Sequence, residues 1–190
     1  GDTIEERFAF LNADIRAYYS HCRVEGRLPI LKPSIMKAGD CPELSGPGVK
    51  AANTRALLPY VVDLQRRATT LSASRKHKHM LKVVESLQEA IDLMYNRDMF
   101  LSVDEVAALR RLLTRFGHNY QVLQVIAMEE TLLRWKSTLK LHYVVGNWPT
   151  KLSSSIRDAC KATRTNQWSG RFARCTRSLR MALTIALYIM

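Results

Sequence analysis

The residues of this sequence best suited to a chemical task are the cations near its end. Eight Lys and Arg residues and one acid, Asp158, occupy residues 151–180. Arginine suits contacts with phosphate because its planar guanidinium group donates two parallel hydrogen bonds. The cations do not alternate with acids, so this stretch has one sign of charge and repels itself.

Two predicted helices, residues 150–163 and 167–188, would carry these cations. Apolar residues follow one stripe of the last helix, and its arginines fall on the opposite half. On the preceding helix, cations recur at steps of four and three residues. A solvated face is the ordinary interpretation, and a nucleic-acid-binding face is the functional one. The predicted binding residues are Arg157, Lys161, Arg164, Trp168, Arg171, Arg174, Arg177 and Arg180, with Trp168 available to stack on bases.

The whole composition favours an acidic partner. Lys and Arg number 29 against 17 Asp and Glu, which gives a formal net charge of +12. Such an excess indicates nucleic acid, with DNA favoured, or another anionic surface. The four cysteines lack Cys-x-x-Cys spacing, so we expect a reducing intracellular compartment and leave a nuclear location open. The apolar run at residues 181–190 is about half of the ~20 residues that a membrane span needs, and no membrane association is predicted.

Catalytic and metal-binding patterns are weak. His77 and His79 alternate with Lys76 and Lys78, whose positive charges disfavour a metal cation. No Gly-x-Ser-x-Gly motif and no phosphate-cradling glycine motif is present. We therefore predict no catalytic residue, metal or cofactor.

Hydrophobic periodicity predicts an all-α fold, an irregular bundle of about five to seven helices. Capping boxes at Thr3-x-x-Glu6 and Ser102-x-x-Glu105 predict two helix starts. Further helical patterns cover residues 49–71, with a kink at Pro59, and residues 79–97. Gly117 leaves one long helix and two abutting helices both open. The polar stretch before residue 79 is interpreted as a loop and a helix start.

The domain organisation predicted is a single helical domain, 1–190, or the C-terminal segment of a longer protein. Residues 28–48 hold four prolines and form an irregular strap near the N-terminus, with one helical turn at 34–37. Residues 150–190 form the basic C-terminal helices. The partners expected besides nucleic acid are the remainder of a longer chain or a second copy.

The order of several segments resembles a known family. "LPILKPSIM", a helical middle, "LKLHYVVG" and "NQWSGRFARCTRSL" follow one another as in the C-terminal region of transposase-like proteins of repetitive protist families. The resemblance spans about residues 14–183. Lys140 and His142 match the family's Lys-His segment in part, because the proline and the second histidine are missing.

The resemblance implies a helical tail of a DNA-transposon-derived protein. A downstream Glu of the family pattern aligns with Gln167, which cannot supply the negative charge that a Mg²⁺ ligand needs. The prediction is therefore a non-catalytic, basic helical region that binds DNA. The alternative is a helical protein-protein interaction module whose apolar tail "LTIALYIM" docks on a partner.

Overall fold

The computed structural model describes residues 3–24, 26–36, 49, 51–95, 101–131 and 135. These residues form five helices and no strand: α1 (Ile4–His21), α2 (Pro33–Met36), α3 (Ala51–Leu71), α4 (Arg75–Tyr95) and α5 (Val103–Glu129). The predicted all-α class is confirmed for this part of the chain. The two C-terminal helices lie outside it, so the total of five to seven helices stays a prediction.

The first and last of these helices begin at the capping boxes expected from the sequence. The Glu6 N–H donates to Thr3 Oγ1 at 3.2 Å, and the Thr3 N–H donates to Glu6 Oε2 at 3.3 Å. The same reciprocal pair joins Ser102 and Glu105 at 3.3 and 2.8 Å. Each box satisfies two backbone donors that the helix end would otherwise leave without partners.

The loop between α3 and α4 is shorter than the sequence predicts, because it contains only residues 72–74. Helix α3 ends at Leu71, where the predicted pattern over residues 49–71 also ends, and the hydroxyls of Thr69 and Thr70 donate to the carbonyl oxygens four residues earlier. Ser74 caps α4, since its Oγ accepts the His77 N–H at 3.2 Å. Helix α4 therefore begins at Arg75 and includes the cationic stretch before residue 79.

Two residues that often end helices lie inside long helices here. Helix α3 continues through Pro59, whose side chain is exposed. Helix α5 continues through Gly117, which lies buried between Phe116 and Tyr120 on the core side. Of the two alternatives for this region, the single 27-residue helix is the correct one.

The core lies where α4 packs against both α3 and α5. Leu57 of α3, Met80 of α4 and Leu123 of α5 are almost completely buried there. A smaller cluster, which includes Ala90 and Val106, joins the end of α4 to the start of α5. Residues on α4 and α5 thus pair in opposite order along the two helices, so these helices are antiparallel.

The chain that follows α1 folds back along this helix. Leu28 and Leu31 are buried, and both are held by side chains of α1. The Leu28 N–H donates to the Tyr19 hydroxyl at 3.1 Å, and Asn12 exchanges two hydrogen bonds with the Leu31 backbone at 2.8 and 2.9 Å. The rest of the predicted strap, residues 37–48, lies outside the described residues.

None of the helices in the described part of the chain is both long enough and apolar enough to cross a bilayer.

Candidate nucleic-acid interface

The eight binding residues predicted from the sequence lie outside the described part of the chain. These are Arg157, Lys161, Arg164, Trp168, Arg171, Arg174, Arg177 and Arg180. Their predicted arrangement on two helices stays a prediction. The described residues contain a second concentration of cations, at the start of α4, which the sequence interpretation treated as a solvated helix start.

Three cations of α4 lie on one exposed face. Arg75, Lys78 and Lys82 follow one another at steps of three and four residues, the spacing that places side chains on the same side of a helix. None of the three forms an ion pair with a residue that the structure describes. No described residue therefore neutralises any of these three charges.

The other polar residues at the start of α4 turn towards the neighbouring helices. The Gln65 amide of α3 donates to His77 Nδ1 at 3.2 Å and to the His77 carbonyl oxygen at 3.3 Å. On the other side, His79 Nδ1 lies 2.8 Å from Oδ1 of the buried Asn119 of α5. Since the Asn119 amide nitrogen donates to the Arg115 carbonyl oxygen at 2.7 Å, Nδ1 of His79 carries the hydrogen in this contact.

These contacts fix how α4 is rotated in the bundle. His77 and His79 diverge towards different helices, so the two imidazoles do not converge on one ion. The part of the chain that the structure describes holds no group of three side chains suited to binding a metal. Lys76 adds a third anchor, because its Nζ lies 2.6 Å from Glu130 Oε2 just after α5. With α4 held on both sides, Lys78 and Lys82 face outward.

An arginine from each neighbouring helix extends onto the same face. Arg66 of α3 directs Nε and Nη2 at Glu85 Oε1, at 3.1 and 2.9 Å. Arg115 of α5 approaches the other oxygen of Glu85, with its Nη2 at 3.9 Å. The exposed His118 lies one turn further along α5. We call this set the α4 basic face: Arg66, Arg75, Lys78, Lys82, Arg115 and His118.

Both arginines remain accessible although they share one carboxylate. The Arg66 and Arg115 side chains are 61% and 45% exposed, whereas that of Glu85 is 21% exposed. Glu85 accepts two hydrogen bonds from Arg66 and lies within ion-pair distance of Arg115, so it offsets one positive charge. The remaining cations of the α4 basic face leave it positively charged.

The charged side chains of α4 are placed unfavourably with respect to the dipole of this helix. The backbone gives the start of a helix a partial positive charge, so acids stabilise that end and cations destabilise it. The first turn of α4 contains no acid and its last turn contains no cation, while Glu85 lies at the middle of the helix and Glu89 and Asp92 in its second half. An exposed cation in the first turn, such as Arg75 or Lys78, costs roughly 0.3–1 kcal/mol at low salt, and the effect falls off beyond that turn. Such a departure from the locally stable choice is expected at a binding site.

One signal in the sequence pointed to this face. "RKHKHMLK", residues 75–82, concentrates cations without an acid immediately after the N-capping serine. Its location on an outward face could not be deduced, because this depends on Gln65 and Asn119 from two other helices.

No family model, curated protein or solved structure matches this chain.

Proposed function

We propose that this chain is a non-catalytic helical region that binds nucleic acid, with duplex DNA favoured, through contacts with the phosphate backbone. The observation that carries the proposal is the α4 basic face. Its cations on α4 make no ion pairs with described residues, Arg75 and Lys78 lie in the first turn where the helix dipole disfavours cations, and two arginines from neighbouring helices flank the face. A surface that loses stability through its charges is best explained by an anionic partner.

The geometry suits a polyanion. Lys78 and Lys82 are separated by about 6 Å along the axis of α4. Duplex DNA carries one negative charge for about every 1.7 Å of its own axis, so neighbouring cations can each find a phosphate. The described residues of this face include no exposed aromatic ring for stacking on bases. Contacts of this kind support backbone binding without selection of a base sequence.

The C-terminal cations would extend the same function. We propose that Arg157, Lys161, Arg164, Trp168, Arg171, Arg174, Arg177 and Arg180 form a second basic surface on the last two of five to seven helices. Their one-sided charge in the sequence supports this proposal. We further propose that the chain is the helical part of a transposase-like protein, which is supported by the order of its segments. The full-length open reading frame tests this point: an RNase H-like strand pattern with acidic residues before Gly1 is expected, and its absence would contradict the proposed ancestry.

Salt-dependent binding tests the nucleic-acid proposal. Fluorescence anisotropy with a labelled duplex should give an affinity that falls as salt rises, with a log-log slope of about −0.9 for each phosphate neutralised. In the double variant Lys78→Gln/Lys82→Gln, the slope should become shallower by about 0.9 for each phosphate that the variant no longer neutralises.

A charge-matched control separates this face from net charge. Arg23→Gln/Lys32→Gln removes two exposed cations from the region after α1 and should leave the salt slope unchanged. Equal losses in both double variants would show that only total charge matters and would contradict the role of the α4 basic face. Absence of duplex binding, together with self-association that depends on the apolar tail, would favour the protein-interaction alternative.

A further inference from the structure

A cavity of about 330 Å³ lies between α1 and the chain that folds back along it. Its wall on α1 includes Asn12, Ile15, Arg16, Tyr19 and Ser20, and residues 27–31 form the other wall. This volume is at the lower end of the range found for small-molecule sites, about 300–1,000 Å³. The α4 basic face uses none of these residues.

Two side chains of α1 bind the chain that forms the opposite wall of the cavity. Both polar ends of the Asn12 amide bind the Leu31 backbone, and the Tyr19 hydroxyl accepts the Leu28 N–H. These contacts fix the distance between the returning chain and α1. The site is therefore formed before any ligand arrives, which reduces the entropy lost on binding.

The hydroxyl hydrogen of Tyr19 has no acceptor among the described residues. Its side chain is buried, with 4% of the residue exposed, and the hydroxyl oxygen accepts the Leu28 N–H at 3.1 Å. A phenol can also donate its own hydrogen, and a buried donor normally has an acceptor. Because Tyr19 lines the cavity, a ligand placed there can supply the missing acceptor.

The charges around the cavity select an anion. Arg16 and Arg27 both line it, and no acid is present among its lining residues. Arg27 Nε donates to the Val24 carbonyl oxygen at 3.3 Å, and its two terminal nitrogens bind no residue that the structure describes. Burial raises the pKa of the Tyr19 hydroxyl above its ordinary value, while the hydrogen bond from the Leu28 N–H and the positive charge of Arg27 lower it in part.

The remaining walls are apolar. Ile15, Pro29 and Ile30 line the cavity together with the two arginines. Inorganic phosphate would bind the two arginines and accept the Tyr19 hydrogen bond, but it would leave the apolar walls in contact with water. A molecule with an apolar portion would cover them.

We propose that this cavity binds a small organic anion, in which a carboxylate or phosphate group contacts Arg16, Arg27 and the Tyr19 hydroxyl while a short apolar portion packs on Ile15, Pro29 and Ile30. The site is independent of the proposed nucleic-acid function. Its specificity comes from the charge at one end of the ligand and the apolar surface at the other.

Isothermal titration calorimetry of the full chain with matched probes tests the proposal. Benzoate should bind at least about tenfold more tightly than benzamide, which has the same shape without the charge. Phenyl phosphate should bind more tightly than inorganic phosphate, because only the former covers the apolar walls. Equal binding of benzoate and benzamide, or no binding of either aromatic anion, would overturn the proposal.

Variants locate the site. Arg16→Gln should weaken benzoate binding about tenfold, whereas Arg23→Gln, a matched change outside the cavity, should leave it unaltered. Arg16→Gln keeps the Asn12 and Tyr19 contacts, so it tests the charge without loosening the returning chain. If Arg23→Gln weakens binding as much as Arg16→Gln, the anion is held by general charge and the assigned cavity is wrong.

Discussion

At the scale of single residues, the best-defined polar cluster joins α1 to α3. The Tyr60 hydroxyl donates to Asp14 Oδ2 at 2.8 Å, and Arg67 Nη2 lies 3.2 Å from the same oxygen. Burial raises the pKa of Tyr60 well above its ordinary value, and the bond to Asp14 raises it further. This hydrogen bond between helices needs the protonated phenol.

The Tyr60→Phe variant should therefore lower the free energy of unfolding by about 1.5–3 kcal/mol, the usual range for a hydrogen bond to a charged group. Urea denaturation at neutral pH measures this loss. Asp63→Asn, which removes only an exposed pair with Arg67 four residues away, should cost less than about 0.5 kcal/mol. Equal losses in the two variants would contradict the role assigned to the buried hydroxyl.

The same group gives a pH dependence with a definite sign. Because the pKa of Tyr60 is higher in the folded state, its contribution to stability is complete below the unfolded-state pKa of about 10. The contribution is lost as the pH rises through the folded-state pKa, since the unfolded chain ionises first. When the pH is raised above ~10, the free energy of unfolding should therefore decrease less in Tyr60→Phe than in the parent chain. The decrease that remains in the variant comes from groups such as Tyr18 and Tyr19, whose pKa values are also raised.

At the scale of elements, α4 shows where local stability and proposed function oppose each other. Ser74 stabilises the start of this helix, while Arg75 and the cations after it destabilise the same end. The contacts of His77 with α3 and of His79 with α5 hold the helix in place. The cationic end is thus supported by tertiary contacts, which compensate for its unfavourable position in the helix dipole.

Arg75→Glu should raise the free energy of unfolding by about 0.5 kcal/mol at low salt while weakening duplex binding, because an acid in the first turn complements the dipole. Thermal or urea denaturation and an anisotropy titration of the same variant check both effects. Lys82→Glu makes the same change in charge at a position beyond the first turn, where the helix dipole has little effect. The new acid would also lie three residues before Glu85 and repel it. It should weaken binding without any gain in stability. A loss of stability in Arg75→Glu would contradict this account of α4.

Individual elements differed in how far they could be predicted. The starts of α1 and α5 were predictable because a capping box is a local signal of four residues. The end of α3 at Leu71 agrees with the predicted pattern over residues 49–71, whereas the start of α4 at Arg75 was not predicted, because its cap Ser74 lies in a polar stretch without the Glu of a capping box. The charges of Lys76 and Lys78 were noted in the sequence, but the outward direction of the cations on α4 depends on partners such as Gln65 and Asn119, which are distant in the sequence.

At the scale of the whole molecule, the described chain is a helical bundle in which α4 lies between α3 and α5. The apolar sides of these three helices meet in one core through residues such as Leu57, Val84 and Leu123. Among the described residues, Arg75, Lys78 and Lys82 are exposed on the opposite side of α4, and Arg66 and Arg115 of the neighbouring helices extend to the same side. Hydrophobic periodicity predicted the helical class, whereas the grouping of Arg66 and Arg115 around Glu85 arises only from packing.

The central claim is that the α4 basic face contacts phosphate, and lysine footprinting tests it most directly. The full chain is acetylated with and without a saturating DNA duplex, and the modification of each lysine is measured by mass spectrometry. We predict that Lys78 and Lys82 lose reactivity when the duplex is bound while the exposed Lys32 keeps it. Unchanged reactivity of Lys78 and Lys82 in the bound complex would contradict the claim.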